Sequence, residues 1–200
     1  NSGLVYDDCG VCGGDNSTCT GCTNTSACNY DGSTIDDGSC IIEGIGVTLH
    51  LLTDAYPGEI TWLLTDAYGV EVASGGPYLQ VGTQPLEVIC VDEGCYTFTI
   101  FDSYGDGICC EYGLGSYELL VQGEVVASGG GFSDSESTTF CTGSGQIGCT
   151  NEAACNYDAL ATLYDGYCNY DCYGCINTEA CNYDSTATID DGSCEGDSDG

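Results

Sequence analysis

Between residues 41 and 140, apolar and polar positions alternate along the chain. Tyr96, Phe98 and Ile100 fall on one side of an extended segment, with Thr97 and Thr99 on the other. Tyr117, Leu119 and Val121 repeat the pattern, as do Ile60, Trp62 and Leu64. A period of two, carried by β-branched and aromatic residues, marks half-buried strands. The pattern predicts eight strands, near 46–53, 58–65, 70–74, 85–91, 95–102, 115–122, 124–128 and 136–141, separated by Gly, Pro and Asp. Short strands at this spacing predict one antiparallel β-sandwich over 41–141, with Trp62, Phe98 and Ile100 in its core.

The same stretch echoes itself. LLTDAYPGEITWLL followed by EVASGG is answered by TIFDSYGDG, GSYELLV and VVASGG. Leu49 and Leu51 match Phe98 and Ile100, so aligning Asp54-Ala55-Tyr56 with Asp102-Ser103-Tyr104 needs a one-residue slip, which predicts a β-bulge. Two pseudo-equivalent halves are expected.

A different pattern flanks the sandwich. Residues 21–40 read GCTNTSACNYDGSTIDDGSC, 148–168 read GCTNEAACNYDALATLYDGYC and 174–194 read GCINTEACNYDSTATIDDGSC. The frame is G-C-x5-C-N-Y-D, an acidic Asp-Gly turn, then Cys. Repetition in register predicts a small module used three times. The expected organisation is a mostly β chain: a cysteine-rich segment with the first repeat over 1–40, the sandwich over 41–141, a second repeat over 142–172 and a third over 173–200.

Such short loop-rich units bury almost no core and need crosslinks. Each repeat has a further cysteine just upstream, giving the sets Cys19/Cys22/Cys28/Cys40, Cys141/Cys149/Cys155/Cys168 and Cys172/Cys175/Cys181/Cys194. Cys9 and Cys12 form a pair, and Cys90, Cys95, Cys109 and Cys110 a last set, which accounts for all 18 cysteines. Full pairing within these sets is expected, each four-cysteine set permitting three connectivities. Cys109 and Cys110 are expected to pair outward, with Cys90 and Cys95, because neighbouring side chains diverge in a strand. The C-x2-C pairs are also compatible with zinc or redox chemistry. The repeated frame, the even count and the lack of basic residues to stabilise thiolates favour structural disulfides, and with them an oxidising, extracellular or cell-surface location.

Charge narrows the functions further. The chain has 32 Asp and Glu, no Lys or Arg, one His and a formal net charge of −32. Without Lys or Arg it offers no clamp for nucleic acid or anionic membrane. No apolar run is long enough for a membrane-spanning helix. Carboxylates at this density repel one another, and Ca2+ is the hard cation that suits their oxygens. The chain begins at Asn1, lacks Met and stops inside an acidic stretch, which reads as a mature piece or one period of a longer polypeptide.

The repeats resemble the tandem GC-x5-CNYD-x-DDGSC repeats of large secreted modular surface proteins of aquatic microbes. The stretch TDAYPGEITW through GCYTFTIFDSYGDGICCEYGLGSY resembles a β-sandwich module found beside such repeats. The resemblance implies no catalytic activity. DDCGVCGGDNSTC, at 7–19, is similar to the cysteine-rich region of metalloproteases with thrombospondin repeats. It implies a disulfide loop rather than a protease, and no HExxH helix is present.

The candidate calcium ligands are Asp31, Asp36 and Asp37, Asp158 and Asp165, and Asp184, Asp190 and Asp191 in the repeats, with Asp102 and Asp106 at a strand end of the sandwich. Asn29, Asn156 and Asn182 accompany the repeat acids. Oxygen-rich loops turned by Gly are what Ca2+ requires, although none is a full EF-hand loop and Asx turns use the same residues. His50 without a companion nucleophile makes no catalytic site and is expected to be packed or at a strand edge. Trp62 and the fifteen tyrosines could form a sugar platform, but Tyr30, Tyr157 and Tyr183 recur at one repeat position, as structural residues would. Asn16 and Asn24 head N-glycosylation sequons, and Asp184-Ser185-Thr186 offers Ser185 to O-glycosylation.

These features predict a non-enzymatic building block of an extracellular filament, matrix or surface appendage. Its expected partners are further copies of itself, head to tail, and glycans. No organic cofactor is expected. The alternative is a Ca2+-dependent adhesion or carbohydrate-binding module, which should show an exposed aromatic or Asp-lined cleft.

Overall fold

The computed structural model describes residues 6–12, 14, 15 and 19–196. Among them the regular structure is β, with no α-helix and a single 3-10 turn at Pro57–Glu59. In chain order the strands are β1 (Thr20–Gly21), β2 (Ile35–Asp36), β3 (Ile45–Thr53), β4 (Ile60–Asp66), β5 (Glu71–Gly75), β6 (Gly82–Thr83), β7 (Glu87–Val91), β8 (Gly94–Asp102), β9 (Ser116–Val121), β10 (Glu124–Gly129), β11 (Ser135–Thr142), β12 (Ile147–Gly148), β13 (Leu163–Tyr164), β14 (Tyr173–Gly174) and β15 (Ile189–Asp190). Contacts divide the chain into two compact units, Asn1–Gly143 and Ser144–Gly200.

Strands β3 to β11 form the antiparallel sandwich. One sheet runs β10-β9-β3, with β6 and β7 sharing the far side of β3, and the other runs β11-β8-β4-β5. Each predicted strand has a counterpart, and the short β6 is added. The first half supplies β3, β4 and β5, and the second supplies β8, β9 and β10. The halves exchange partners: β3 pairs with β9 and β4 pairs with β8. Each sheet is therefore made from both halves, and neither half could close its own core.

The inward side chains interdigitate. Val47, Leu49 and Leu51 of β3 are buried with Ile60, Trp62 and Leu64 of β4, Phe98 and Ile100 of β8, and Tyr117 and Leu119 of β9. The Phe98 and Tyr117 rings, from opposite sheets, lie 5.6 Å apart. The Trp62 indole donates to the Tyr78 hydroxyl at 2.8 Å, and the Tyr117 hydroxyl donates to Glu136 at 2.8 Å. Buried aromatics keep their polar tips partnered in this way.

The duplication extends to irregularities. Trp62 faces Gly75 across β4–β5, and Tyr117 faces Gly129 across β9–β10. A Cβ on either glycine would run into the opposing ring. The ladder skips Val72 in one half and Val126 in the other, so the bulges occupy equivalent places. The bulge expected before Asp54 does not form. β3 and β8 stay in regular register, and the slip falls past the strand end, because β3 stops at Thr53 whereas β8 runs to Asp102. His50 is neither packed nor at an edge. It lies exposed on the outer face of β3, a central strand, opposite Glu118 at 3.8 Å.

Each repeat carries a two-residue parallel ladder, β1–β2, β12–β13 or β14–β15. Beside it a bridge joins the GC cysteine to the closing cysteine: Cys22–Cys40, Cys149–Cys168 and Cys175–Cys194. The first cysteine of each pair is buried, as are Ala27, Ala154 and Ala180 of the three repeats and Leu163 of the second. That apolar content is too small to hold a loop, whereas closing a loop of this length is worth about 3 kcal/mol. The repeat's Asn clamps the exit. Asn29, Asn156 and Asn182 accept through Oδ1 from the backbone N–H of Ile41, Asn169 and Glu195, each just beyond the closing cysteine.

Four other bridges cross the expected sets. Cys9 bonds Cys19, Cys28 bonds Cys90, Cys95 bonds Cys141 and Cys155 bonds Cys172. Cys109 and Cys110 bond each other rather than Cys90 and Cys95. They sit in a bend closed by the Cys109–Leu114 bridge, outside any strand, so their side chains do not diverge. Cys95 and Cys141 face each other across β8–β11. Cys12 and Cys181, expected in disulfides, are free and exposed.

The duplication explains Cys28–Cys90. Gly46 occupies in β3 the place of Cys95 in β8, and Cys90 faces Gly46 as Cys141 faces Cys95. A Cβ on Gly46 would lie 3.8 Å from the Cys28 sulfur. The first repeat thus supplies the sulfur that the first half of the sandwich lacks.

Replacing Phe98 by Ala should cost about 3–5 kcal/mol, the range for a large aromatic removed from a packed core. Urea unfolding with the disulfides intact would show it, and a loss below about 1 kcal/mol would contradict the core position.

Candidate functional site

The turn after β3 and the turn after β8 are related by the duplication and lie side by side. In each, an Asp caps the turn. Asp54 accepts through Oδ1 from the N–H of Tyr56, and Asp102 accepts through Oδ1 from the N–H of Tyr104, both at 2.9 Å. The Ser103 N–H donates to the Glu59 carbonyl at 3.0 Å, and the Ala55 N–H donates to the Tyr112 carbonyl at 3.3 Å. These bonds set a cleft of about 170 Å³ lined by Tyr56, Glu59, Tyr104, Asp106 and Tyr112. The Tyr56 and Tyr112 rings meet edge to face at 5.4 Å.

The carboxylate oxygens of Glu59, Asp102 and Asp106 lie within 4.8 Å of one another. Asp102 is almost fully buried, and its Oδ2 accepts from the Asp106 N–H at 3.1 Å. Loss of hydration pushes the Glu59 carboxyl up, with the charges of Asp102, Asp106 and Asp54 adding to the effect. Asp106 is pushed up for the same reason and by its hydrogen bond and charge contact with Asp102. With no cationic side chain in the cleft, a divalent ion or a proton is what can relieve this repulsion. Three clustered oxygens suit a hard ion, and three partly exposed tyrosines beside them offer flat faces and hydroxyls.

Asp102 and Asp106 are among the ligands that the sequence predicts. Glu59 is not, because its only local signal is the Pro-Gly-Glu turn, and only the strand exchange carries that turn to Asp102. Among the described residues, Glu59, Asp102 and Asp106 form the one carboxylate trio close enough to share an ion.

The repeat acids act in turns. Oδ1 of Asp36 and of Asp190 accepts from the N–H of Gly38 and Gly192, and Oδ1 of Asp37 and of Asp191 accepts from Ser39 and Ser193. Asp165 accepts from Tyr167. Gly38, Gly166 and Gly192 take positive φ, which suits glycine at these turns. Asp31, Asp158 and Asp184 accept from the N–H two residues ahead, and Gln146 also donates to Asp158. Backbone and hydroxyl bonds from Ser33 hold Asp31 below the usual carboxylate value, and the Ser39, Thr186 and Ser193 hydroxyls and N–H groups do the same for Asp37, Asp184 and Asp191.

Asn24 is exposed, and its Oδ1 accepts from the Ser26 N–H at 2.9 Å, folding the sequon into an Asx turn. Ser185 is exposed. Asn16 lies outside the described residues. Comparison with protein-family models, curated proteins and solved structures finds no match. The fold and bonding define a mostly β, disulfide-rich protein that fits an extracellular structural or binding role in an oxidising environment.

The two groups of carboxylates predict opposite pH responses. Depressed repeat acids contribute stability above the ordinary carboxylate value and lose it as pH falls through their lowered values. Raised Glu59 and Asp106 do the reverse, since the folded state holds their protons more tightly, so stability falls as pH rises through their raised values. In EDTA at pH 7, Asp106→Asn should therefore raise Tm, and the gain should shrink at pH 4. Calorimetry at the two pH values reads this, and a lower Tm at pH 7 would sink it.

Proposed function

We propose that this chain is a structural building block of an extracellular filament, matrix or surface appendage, stabilised by Ca2+ and carrying glycans. The observation behind this reading is that each of the first two repeats is bonded forward to the next module of the chain. Cys28 reaches into the sandwich at Cys90, and Cys155 reaches Cys172 ahead of the third repeat. A series of small units joined in this way transmits load without a large core. It also presents no Lys or Arg to trypsin-like proteases. Further copies of the chain are the proposed partners, in a head-to-tail contact that does not close on itself. The resemblance of the repeats to those of secreted surface proteins supports this reading, and no catalytic role is assigned.

Ca2+ belongs at Glu59, Asp102 and Asp106 in this proposal, with the exposed repeat acids binding cations more diffusely. Glycans are proposed on Asn16, Asn24 and Ser185. Electron microscopy of purified native material should show filaments with a regular axial repeat. Dispersed intact monomers in calcium would count against the assembly. Saturating Ca2+ at about 100 times its Kd should raise stability by about 2.7 kcal/mol, and a Tm unmoved by EDTA would remove Ca2+ from the proposal.

A second reading is favoured by the cleft: Ca2+-dependent binding of carbohydrate, with Tyr56, Tyr104 and Tyr112 against sugar faces and the acids on hydroxyls through the ion. Titration with oligosaccharides should then give binding that EDTA abolishes and Tyr104→Ala weakens. Oligosaccharide binding unaffected by either change would place the site elsewhere.

A further inference from the structure

The two halves of the sandwich differ most in one connection. The first half passes from Tyr56 to its core Trp62, 6 residues on, through the Pro57–Glu59 turn. The second takes 13 residues to pass from Tyr104 to the equivalent Tyr117. The added length carries Cys109, Cys110 and Tyr112. The first half builds its share of the core without such a segment, so the core does not require it. Extra loop on a rigid scaffold is where binding residues concentrate, and Tyr112 lines the cleft.

The segment is pinned at its base. Ile108 is fully buried, and its N–H donates to the Gly130 carbonyl at 3.0 Å. A Cβ on Gly107 would run into the backbone of Gly130 and Phe132, and one on Gly115 into that of Ile108 and Leu52. Between these pins Cys109 bonds Cys110. Cys109 packs toward Gly130, where an added Cβ would lie 3.3 Å from its own, whereas Cys110 is exposed. Two residues on, the Tyr112 carbonyl accepts from the Ala55 N–H, and its ring meets Tyr56 edge to face. The Cys109–Cys110 bridge does not close the chain. The others span between 10 and 62 residues, and the entropy a bridge removes from the unfolded chain grows with the loop it closes. Bonding adjacent residues closes no such loop. What it fixes is the local backbone that leads to Tyr112.

We propose that Cys109–Cys110 is a redox switch on the cleft. Closed, it sets the bend that holds Tyr112 against Tyr56. Opened by a dithiol, protein or small molecule, it releases that wall while the sandwich stays folded. One thiolate of the dithiol attacks the exposed Cys110 sulfur. The bond between Cys109 and Cys110 breaks, and Cys109 leaves as a thiolate that takes up a proton. The second thiol of the reductant attacks the mixed disulfide, closes the reductant's own disulfide and releases Cys110 as a thiol. Two electrons and two protons pass from dithiol to protein. Access selects the bridge: Cys95 of Cys95–Cys141 is buried, as are the side chains that hold the two sheets together. The switch needs no particular ligand, since it governs whether the wall stands rather than what the cleft binds.

The test uses the whole chain, its free thiols first blocked with iodoacetamide. Graded dithiothreitol, followed by N-ethylmaleimide and mass spectrometry, reads which bridges open. Cys109 and Cys110 should take the label at about tenfold less dithiothreitol than Cys95 and Cys141 need. At that lower concentration, before labelling, NMR of aromatic-labelled protein should show the Tyr56–Tyr112 ring cross-peaks lost and the Phe98–Tyr117 cross-peaks kept. Reoxidation should restore the first pair. The double variant Cys109→Ser/Cys110→Ser, which fixes the open state, should lack the Tyr56–Tyr112 cross-peaks without reductant and keep those of Phe98 with Tyr117. Should the variant not fold, the wild-type arm decides. Three wild-type results overturn the switch: Cys95–Cys141 opening first, Tyr56–Tyr112 cross-peaks that survive the opening of Cys109–Cys110, or Phe98–Tyr117 cross-peaks lost on that opening, which would make the bridge a structural staple.

Discussion

Most of this molecule depends on the disulfide bond standing in for interactions that the composition forbids. With no Lys or Arg, the single His50 is the one side chain that can carry a positive charge, its contact with Glu118 is exposed, and surface pairs of that kind contribute little. The 32 acids, 17 of them in the cysteine-rich segments outside 41–141, repel one another at every scale below the screening length. Covalent closure is indifferent to charge. Cys22–Cys40, Cys149–Cys168 and Cys175–Cys194 hold three units whose buried apolar content is a cysteine and an alanine each, with Leu163 added in the second.

The sandwich solves the same problem with hydrophobic burial, and it does so by exchanging strands between two similar halves. Pairing β3 with β9 and β4 with β8 commits each sheet to both halves. The exchange also brings the turns after β3 and β8 together. A cleft with tyrosines and acids from both halves results from that placement. Duplication therefore produced a composite site, in which Glu59 comes from one half and Asp102 and Asp106 from the other.

Crosslinking and duplication meet at Gly46. One half of the sandwich closes its edge with Cys95–Cys141, and the other, lacking that cysteine, receives Cys28 from the first repeat. A local absence in one module thus becomes a joint between two. Repeats that hand a sulfur forward and sandwich edges able to receive one are complementary parts, and they can be joined without redesigning either core.

The sequence by itself determined the strands, the repeats and the turns. Alternation at Tyr96, Phe98 and Ile100, or at Ile60, Trp62 and Leu64, is a local consequence of burying one face of a strand. The Asp-Gly turns are equally local, since each Asp bonds an N–H two residues ahead. Tertiary structure alone decided which strands pair, which cysteines bond and which acids converge. Cys28 and Cys90 are separated by 62 residues, and nothing near either marks the other. Cys109 and Cys110 bond each other because the chain bends there, not because of their spacing. Glu59 joins Asp102 only through the β4–β8 register. These choices turn on distances across the fold, and no periodicity along the chain encodes them.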